Sequence, residues 1–267
     1  MFVFDDVVIK INQQRGAQRV IRERNALMLL REAPLLVPTY IADGVSIAER
    51  EWIATTRMAG VVPADALLPP EQISPGLGEQ LGAVIAQLHA GPKPPGFGTW
   101  TEVEFTVEQE FEDRVAKLHQ LGVDNSIVDR AELDGVRDLL LDRTDVLASA
   151  PSLPVLAHRD VQPRNVLVDD GGRLTVLLDF ESSAGGDPAT DFNCVGLDWH
   201  SPGFAAFARG YRGADGEIDD HFAERAAVYV GFWSLAVLAY LGGFLPHFLP
   251  VARAAIERVR RGETPPI

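Results

Sequence analysis

The alternation of apolar and polar positions predicts a β-rich first part of the chain. Short alternating runs of β-branched and aromatic residues are typical of strands, and Asp5-Asp6 offers a turn between the first two. The predicted elements, in chain order, are strands over Phe2–Phe4 and Val7–Ile11, an amphipathic helix over Ala17–Arg31, and strands over Thr39–Ala42 and Trp52–Arg57. Gly60 and Pro63 then mark a boundary.

Beyond that boundary the apolar spacing becomes mainly helical. Helices are predicted over Pro75–Ala90, Thr106–Leu121 and Ala131–Ser149, and then throughout the chain after Asp191. Short apolar runs predict a strand over Pro154–Ala157 and a strand pair over 166–168 and 173–180, joined by a glycine-bearing turn. The sequence thus combines a small β-rich part with a larger helical part.

One uncharged apolar segment, Ala226–Pro246, is long enough to cross a membrane if it is helical. Ser234 interrupts it, Gly242, Gly243 and Pro246 break its end, and no second apolar span accompanies it. We therefore expect a buried core helix and no membrane association.

The net charge of the chain limits the classes of molecule that it can bind. The chain of 267 residues has a net charge of −14, which opposes a phosphate backbone and excludes nonspecific nucleic-acid binding. Residues 1–60 carry +1 and residues 61–267 carry −15, so the acidity lies in the helical part. Two explanations are open: ordinary solvated helix faces, or a pocket for a cationic substrate. A lone cysteine, Cys194, and the lack of a secretory signal predict a cytoplasmic protein.

The most informative stretch runs from residue 155 to residue 192. His158-Arg159-Asp160 is followed five residues later by Asn165, and a strand ends on Asp179 fourteen residues after that. Phosphoryl transfer needs a carboxylate beside the attacking hydroxyl and oxygen ligands that hold Mg²⁺ on the nucleotide phosphates. Asp160 suits the first role, and Asn165 with Asp179 suits the second.

These residues resemble a known family. H-R-D-x-x-x-x-N with a later D-F looks like the catalytic and metal-binding loops of the kinase fold, and the G-G-D-P-A-T-D-F that follows is similar to the aminoglycoside phosphotransferase family. The resemblance implies an α+β, bilobal protein-kinase-like fold, with a small nucleotide-binding lobe over 1–58 and a larger helical catalytic lobe over 59–267. M-A-G at 58–60 resembles the hinge between the lobes.

The resemblance also implies roles for individual residues. It assigns Asp160 as catalytic base, Asn165 and Asp179 as Mg²⁺ ligands, Lys10 and Glu23 as the phosphate-side ion pair, and the backbone of Thr56 and Met58 as the adenine contact. His158 and Arg159 are expected to orient the catalytic loop. Asp187 and Asp191 are expected to cap the next helix and brace the loop.

The sequence departs from the family pattern in three places. Only nine residues precede Lys10, so the usual phosphate-covering loop rich in Gly or Ser is missing from the sequence. Three explanations are open: an upstream start codon, catalysis with an open phosphate roof, or loss of catalytic competence. Glu181 replaces the glycine of D-F-G, and Arg159 stands where antibiotic kinases more often have glycine.

The acceptor is expected to lie between the catalytic loop and the helices of the larger lobe. Carboxylates would pair its ammonium groups and a tryptophan face would bind a cation. The candidate residues are Asp198, Trp199, His200, Glu181 and Glu110, the last in an acidic run with Glu108, Glu112 and Asp113. Ordinary surface acids are the alternative explanation.

The sequence therefore predicts an ATP- or GTP-dependent, Mg²⁺-requiring kinase that phosphorylates a hydroxyl of a cationic antibiotic and so confers resistance. Aminoglycosides and basic peptides such as capreomycin or viomycin fit the acidity. The alternatives are a metabolic kinase for an amino alcohol, sugar or nucleoside, and a nucleotide-binding pseudokinase. The oligomeric state is not predicted.

Overall fold

The structure is a computed structural model, which describes residues 1–12, 18–46, 49–63, 73–98 and 106–267. Its strands are β1 (Phe2–Val3), β2 (Val7–Ile11), β3 (Tyr40–Val45), β4 (Glu51–Thr56), β5 (Val155–Ala157), β6 (Val166–Val168), β7 (Leu174–Leu177) and β8 (Ala184–Gly186). Its α-helices are α1 (Arg19–Leu30), α2 (Pro75–Ala90), α3 (Val107–Asn125), α4 (Arg130–Leu141), α5 (Pro202–Gly213), α6 (Phe222–Ala236), α7 (Gly242–Phe244) and α8 (Phe248–Arg260).

The first strands form a four-stranded antiparallel sheet in the order β1-β2-β4-β3. Lys10 on the inner strand β2 pairs with Ile53 on β4, and α1 buries Ala26, Leu27 and Leu30 beneath the sheet. The predicted hairpin, helix and strands are present, with ends shifted by one to three residues. The predicted helix start at Ala17 lies outside the described residues.

The link to the larger part is tied to that part by main-chain pairing. Val61 donates to and accepts from Val168 of β6, at 3.0 and 2.9 Å. Gly60, with φ of +127°, turns the chain just before this bridge, and a side chain there would lie 2.9 Å from the Leu167 Cβ. The predicted hinge over 58–60 coincides with this turn, and the division at residues 58 and 59 stays a prediction.

Helices form most of the described residues after position 73. The helix pair α2 and α5 packs closely because glycines lie at the crossing: a Cβ at Gly82 would be 2.0 Å from the Phe207 carbonyl oxygen. The helix predicted over 131–149 ends at Leu141, and a 3₁₀ turn, Thr144–Ser149, follows. The Thr144 hydroxyl donates to the Leu141 carbonyl at 2.9 Å, which satisfies an acceptor left free at the helix end.

The apolar segment predicted as a core helix is α6 with the π-helical turn Val237–Leu241 and α7. Over Phe222–Phe244 it is long and apolar enough to cross a membrane, but 78% of its most apolar stretch is buried inside the protein. The prediction of a buried core helix is confirmed.

Candidate active site

The phosphate end of the site begins on β2. The Lys10 ammonium donates to both carboxylate oxygens of Glu23 on α1, at 2.7 and 2.9 Å, and to Asp179 Oδ1 at 2.8 Å. Burial alone would lower the pKa of Lys10, but the two carboxylates outweigh it and raise that pKa. The predicted ion pair is present, and Lys10 also ties the sheet to the predicted metal-binding residue.

The catalytic loop follows β5 and is held from the core by Asp191. Its buried carboxylate accepts the N–H of His158 at 2.8 Å, the N–H of Arg159 at 2.5 Å and His89 Nε2 at 2.9 Å. Arg159 takes φ of +66°, which reverses the chain direction just before Asp160. Asp191 thus braces the loop as predicted.

Asp187 acts at the next turn. Its carboxylate accepts the Ala189 N–H at 3.0 Å, as the predicted helix cap, and also accepts Arg225 Nε at 2.8 Å.

Asp160 is surrounded by donors. Asn165 Nδ2 donates to Asp160 Oδ2 at 2.9 Å and to its carbonyl at 2.8 Å, Gln162 Nε2 donates to Oδ1, and Arg164 lies 3.5 Å from Oδ2. Because the amide nitrogen of Asn165 faces Asp160, its amide oxygen is directed away from that carboxylate. Asn165 therefore orients the candidate base Asp160 through its amide nitrogen, while its amide oxygen is directed away from Asp160.

Asp179 arrives from β7 in a left-handed conformation, with φ of +66°. The preceding residue anchors it, because the Leu178 N–H donates to the Asn165 carbonyl at 2.8 Å and the Leu178 carbonyl accepts His158 Nε2 at 2.8 Å. Burial would raise the pKa of Asp179, but Lys10 outweighs it and holds that pKa below its usual value. An ionised Asp179 is therefore favoured.

The donor set fits Mg²⁺ completed by a nucleotide. Asn165 and Asp179 supply only oxygen ligands, and Mg²⁺ is usually held by one or two carboxylates together with phosphate oxygens and water. Within the described residues no group of three or more His, Cys, Asp or Glu side chains is placed to hold a metal. The residues present thus suit an ion that enters with phosphates, and they do not form an independent metal cage.

An open cavity of about 230 Å³ lies over these residues. Lys10, Glu23 and Asp179 line it together with Arg19 and Glu181. Glu181, two residues after Asp179, accepts Arg19 Nη1 at 2.6 Å. The cavity therefore joins the Lys10–Glu23 ion pair and the turn that carries Asp179 in one cleft.

Part of the backbone predicted to contact adenine, at Thr56 and Met58, is already hydrogen-bonded within the protein. The Thr56 N–H donates to the Thr39 carbonyl at 2.9 Å, which leaves only the Thr56 carbonyl for a base. The Met58 N–H donates to no acceptor in the described part of the chain. An accepting Thr56 and a donating Met58 would still match the edge of a purine.

Each acidic candidate for the acceptor is paired with an arginine. Glu110 on α3 accepts both terminal nitrogens of Arg159, at 2.6 and 3.2 Å, and Glu181 pairs with Arg19. Asp198 lies 3.5 Å from Arg258 of α8. Burial would raise the pKa of Glu110, but Arg159 and Arg114 outweigh it and lower that pKa. Each of these three carboxylates therefore already has an arginine partner.

Trp199 and His200, both predicted to contact the acceptor, are neighbours in the chain but differ in exposure. Trp199 is 1% exposed and Arg258 covers its ring at 5.5 Å, so no ring face is open to a substrate cation, contrary to the prediction. His200 is exposed beside it. No described contact joins either residue to Asp160.

Tyr240 lies near the candidate base Asp160, a proximity that the sequence did not predict. It lies in the π-helical turn, where Asn125 Nδ2 donates to the Ala239 carbonyl at 3.0 Å. Burial raises the pKa of Tyr240, and the Asp160 carboxylate raises it further, which places the two groups within electrostatic reach. Nothing in the apolar run distinguishes this tyrosine, because the π turn that orients it has no sequence signature.

The fold and the site together define a protein-kinase-like phosphotransferase. A family model described as "Phosphotransferase enzyme family" (APH) matches residues 3–228, and the chain belongs to that family. The predicted family, fold class and enzyme class are confirmed at this level.

Solved structures with this fold include antibiotic-modifying enzymes. A thermostable mutant of aminoglycoside phosphotransferase APH(4)-Ia, in ternary complex with ADP and hygromycin B, has a TM-score of 0.66 and 20% identity, covering 96% of this chain and 85% of that one. Macrolide 2'-phosphotransferase MphH from Brachybacterium faecium, as apoenzyme, has a TM-score of 0.54 and 23% identity, covering 95% and 83%. At these identities the likeness concerns the fold.

A curated relative is similar over a shorter segment. The uncharacterized protein YcbJ of Bacillus subtilis (strain 168) is 32% identical over 113 residues, which is 39% of this chain and 37% of that protein. The match therefore spans little more than a third of the relative's length.

Proposed function

We propose that the protein transfers the γ-phosphoryl group of ATP or GTP to a hydroxyl of a small molecule. The observation that carries this proposal is the convergence of Asp160, Asn165 and Asp179 with Lys10. Asn165 contacts Asp160 at 2.9 Å, its carbonyl holds the backbone before Asp179 at 2.8 Å, and Asp179 contacts Lys10 at 2.8 Å. Four residues from three segments thus form one connected cleft.

Each residue has a part in the proposed transfer. The acceptor hydroxyl hydrogen-bonds to the Asp160 carboxylate, and its oxygen forms a bond to the γ-phosphorus while the bond from that phosphorus to the bridging oxygen breaks. The hydroxyl proton passes to Asp160, and the nucleoside diphosphate leaves. Asn165 and Asp179 would hold the metal ion, and Lys10, which contacts Asp179, would hold the α- and β-phosphates. Bound Mg²⁺ would neutralise charge on the phosphate oxygens.

Two acceptor classes follow from different observations. A cationic antibiotic, aminoglycoside or basic peptide, is favoured by the net charge of −14, and aminoglycosides are the ligands in the names of several structural neighbours. Resistance to that antibiotic would result. A neutral or anionic metabolite is favoured by the pairing of Glu110, Glu181 and Asp198 with arginines, which leaves none of these carboxylates free for an ammonium group. Either acceptor would be met in the cytoplasm.

The proposal is tested by nucleotide consumption with a panel of acceptors. ATP and GTP are each supplied with Mg²⁺ and with aminoglycosides, capreomycin, viomycin, amino alcohols, sugars and nucleosides, and phosphorylated product is detected by mass spectrometry. Asp160→Ala should remove product formation, whereas Asp170→Asn, in the exposed turn between β6 and β7, should not. Nucleotide binding without product for any acceptor would identify a pseudokinase and overturn the proposal.

A further inference from the structure

Three arginines from three separate elements surround a single carboxylate beside the catalytic loop. Arg22 comes from α1, Arg114 from α3 and Arg159 from the loop itself, and all three act electrostatically on Glu110. Arg159 is held by Glu110 at 2.6 Å and by the Gly185 carbonyl at 3.1 Å. Arg114 stacks on Phe232 at 4.3 Å and lies 3.7 Å from Glu110, beyond hydrogen-bond distance.

The ionised form of Arg114 is disfavoured within the described residues. Burial and the like charge of Arg159 lower the pKa of Arg114 to about 10, although Glu110 acts in the opposite direction. Among the described residues, the charge of Glu110 therefore does not fully offset the burial of Arg114 and its repulsion from Arg159. A bound anion would relieve this repulsion.

Donor groups of the same arginines are also unsatisfied. Within the described residues, Arg114 Nη1 and Arg159 Nε are buried and have no hydrogen-bond partner. Buried guanidinium N–H groups without partners are costly, so each indicates either strain or an absent ligand. The Arg114 side chain is 22% exposed, so part of it lies at the protein surface although its Nη1 is buried.

We propose that Arg114 and Arg159 form an oxyanion-binding site that takes a carboxylate or phosphate group. A guanidinium fork matches two oxygens of such a group. The site is separate from the nucleotide phosphates, whose contacts are Lys10 and Asp179. It exists as a binding site whether or not phosphoryl transfer is observed.

The test uses inorganic sulfate as probe, at low millimolar concentration and constant ionic strength, with thermal unfolding as the measurement. Wild-type protein should rise in Tm by roughly 3 °C at ten times the dissociation constant. Lys10→Ala should show the same rise, because the nucleotide site is not involved. Arg137→Gln is a control at an arginine whose contacts in the described part of the chain are Asp134, Asp138 and His119, and it should also respond as the wild type.

Two variants in the cluster should respond in opposite directions. Arg114→Gln should lose most of the sulfate-dependent rise, because it removes the weakly paired guanidinium. Glu110→Gln should unfold at lower temperature without sulfate and gain more from it than wild type, because the anion replaces the missing carboxylate. If Arg114→Gln does not fold, the Glu110→Gln response decides. An equal rise in every variant, or loss of the rise in Lys10→Ala, would overturn the proposal.

The source of the oxyanion is separated by kinetics with a phosphorylated acceptor. Competition, in which sulfate raises acceptor KM and leaves kcat unchanged, identifies an anionic group of the acceptor itself. Sulfate that stabilises the protein without changing acceptor KM identifies a free anion as the ligand. Failure to find any acceptor affects only this last step, since the unfolding measurements need none.

Discussion

Asp191 and His89, 102 residues apart in the chain, are joined by a 2.9 Å hydrogen bond in the core of the larger lobe. Tyr211 contacts the other ring nitrogen of His89 at 2.8 Å, and the Asp191 carboxylate holds two successive N–H groups of the catalytic loop. The position of Asp160 therefore depends on a chain of buried groups that never touches a substrate.

Asp191→Asn should destabilise the protein by about 2–4 kcal/mol, because an amide cannot accept all the donors now directed at that carboxylate. kcat should fall more than nucleotide affinity, since the loop that carries Asp160 loses its anchor. Urea unfolding and steady-state kinetics measure the two effects. Asp170→Asn, at an exposed turn position, should change neither.

The same residue should contribute to acid sensitivity. Burial raises the pKa of Asp191, but His89 outweighs it and the pKa lies below the usual value. A carboxyl group whose folded pKa is lowered stabilises the fold above its unfolded pKa, about 3.9, and loses that contribution as pH falls through the folded pKa. Wild type should therefore lose more stability than Asp191→Asn below about pH 4. Parallel stability curves for the two proteins would contradict this.

Lys10→Met should weaken nucleotide binding by roughly tenfold or more, equivalent to about 1.4 kcal/mol. The ammonium contacts both Glu23 and Asp179, and its loss leaves a buried and a half-buried carboxylate without their shared partner. Isothermal titration with a non-hydrolysable nucleotide and Mg²⁺ measures the change. The matched control is Lys93→Met. This variant removes an ammonium that donates to the His89 carbonyl, and Lys93 is far in sequence from the cleft residues.

Two glycines of α2 should respond oppositely to alanine. A Cβ at Gly82 would lie 2.0 Å from the Phe207 carbonyl oxygen, so Gly82→Ala must separate α2 from α5 and should cost about 2–3 kcal/mol. A Cβ at Gly76, in the first turn of the same helix, meets nothing within 4 Å. Gly76→Ala should be neutral or slightly stabilising by thermal unfolding. Equal changes in stability at the two positions would show that packing against α5 does not decide the effect.

Tyr240→Phe should raise acceptor KM by a few fold while leaving nucleotide affinity unchanged. Its hydroxyl lies within electrostatic reach of Asp160, and a lost hydrogen bond contributes about 1 kcal/mol. Tyr40→Phe, which removes a hydroxyl bonded to Asp43 on β3, is the control and should leave acceptor KM unchanged. An unchanged KM in Tyr240→Phe would remove this tyrosine from the acceptor site.

The sequence predicted those features of the fold and of the site whose residues lie close together in the chain. The catalytic stretch carries its spacing within 22 residues, and the Lys10–Glu23 pair lies on adjacent elements, so both were accessible to pattern reasoning. The arginine partner of Glu110 is 49 residues away, and that of Asp198 is 60 residues away. No local pattern records such pairings, so the sequence alone does not show that these acidic residues, which are predicted to bind the acceptor, are paired with arginines.

The sequence did not predict the burial of Trp199 for the same reason, because the residue that covers its ring is distant in the chain. Its neighbours Asp198 and His200 are polar and suggest an exposed segment, but α8 folds back and covers the ring with Arg258. The sequence also predicts that the helix continues past Leu141, but the Thr144 hydroxyl bonds back to the Leu141 carbonyl, a local competition that apolar spacing does not record. At Trp199, by contrast, a tertiary contact overrides the local pattern.

The attachment of the catalytic loop to Asp191 has an evolutionary consequence. Because a core carboxylate holds two successive N–H groups of that loop, the π turn after α6 is not required to hold it. Substitutions in that turn can therefore accumulate and redirect the choice of acceptor, while the chemistry of the loop is inherited unchanged. An architecture of this kind lets a lineage diversify its substrates without reinventing its reaction.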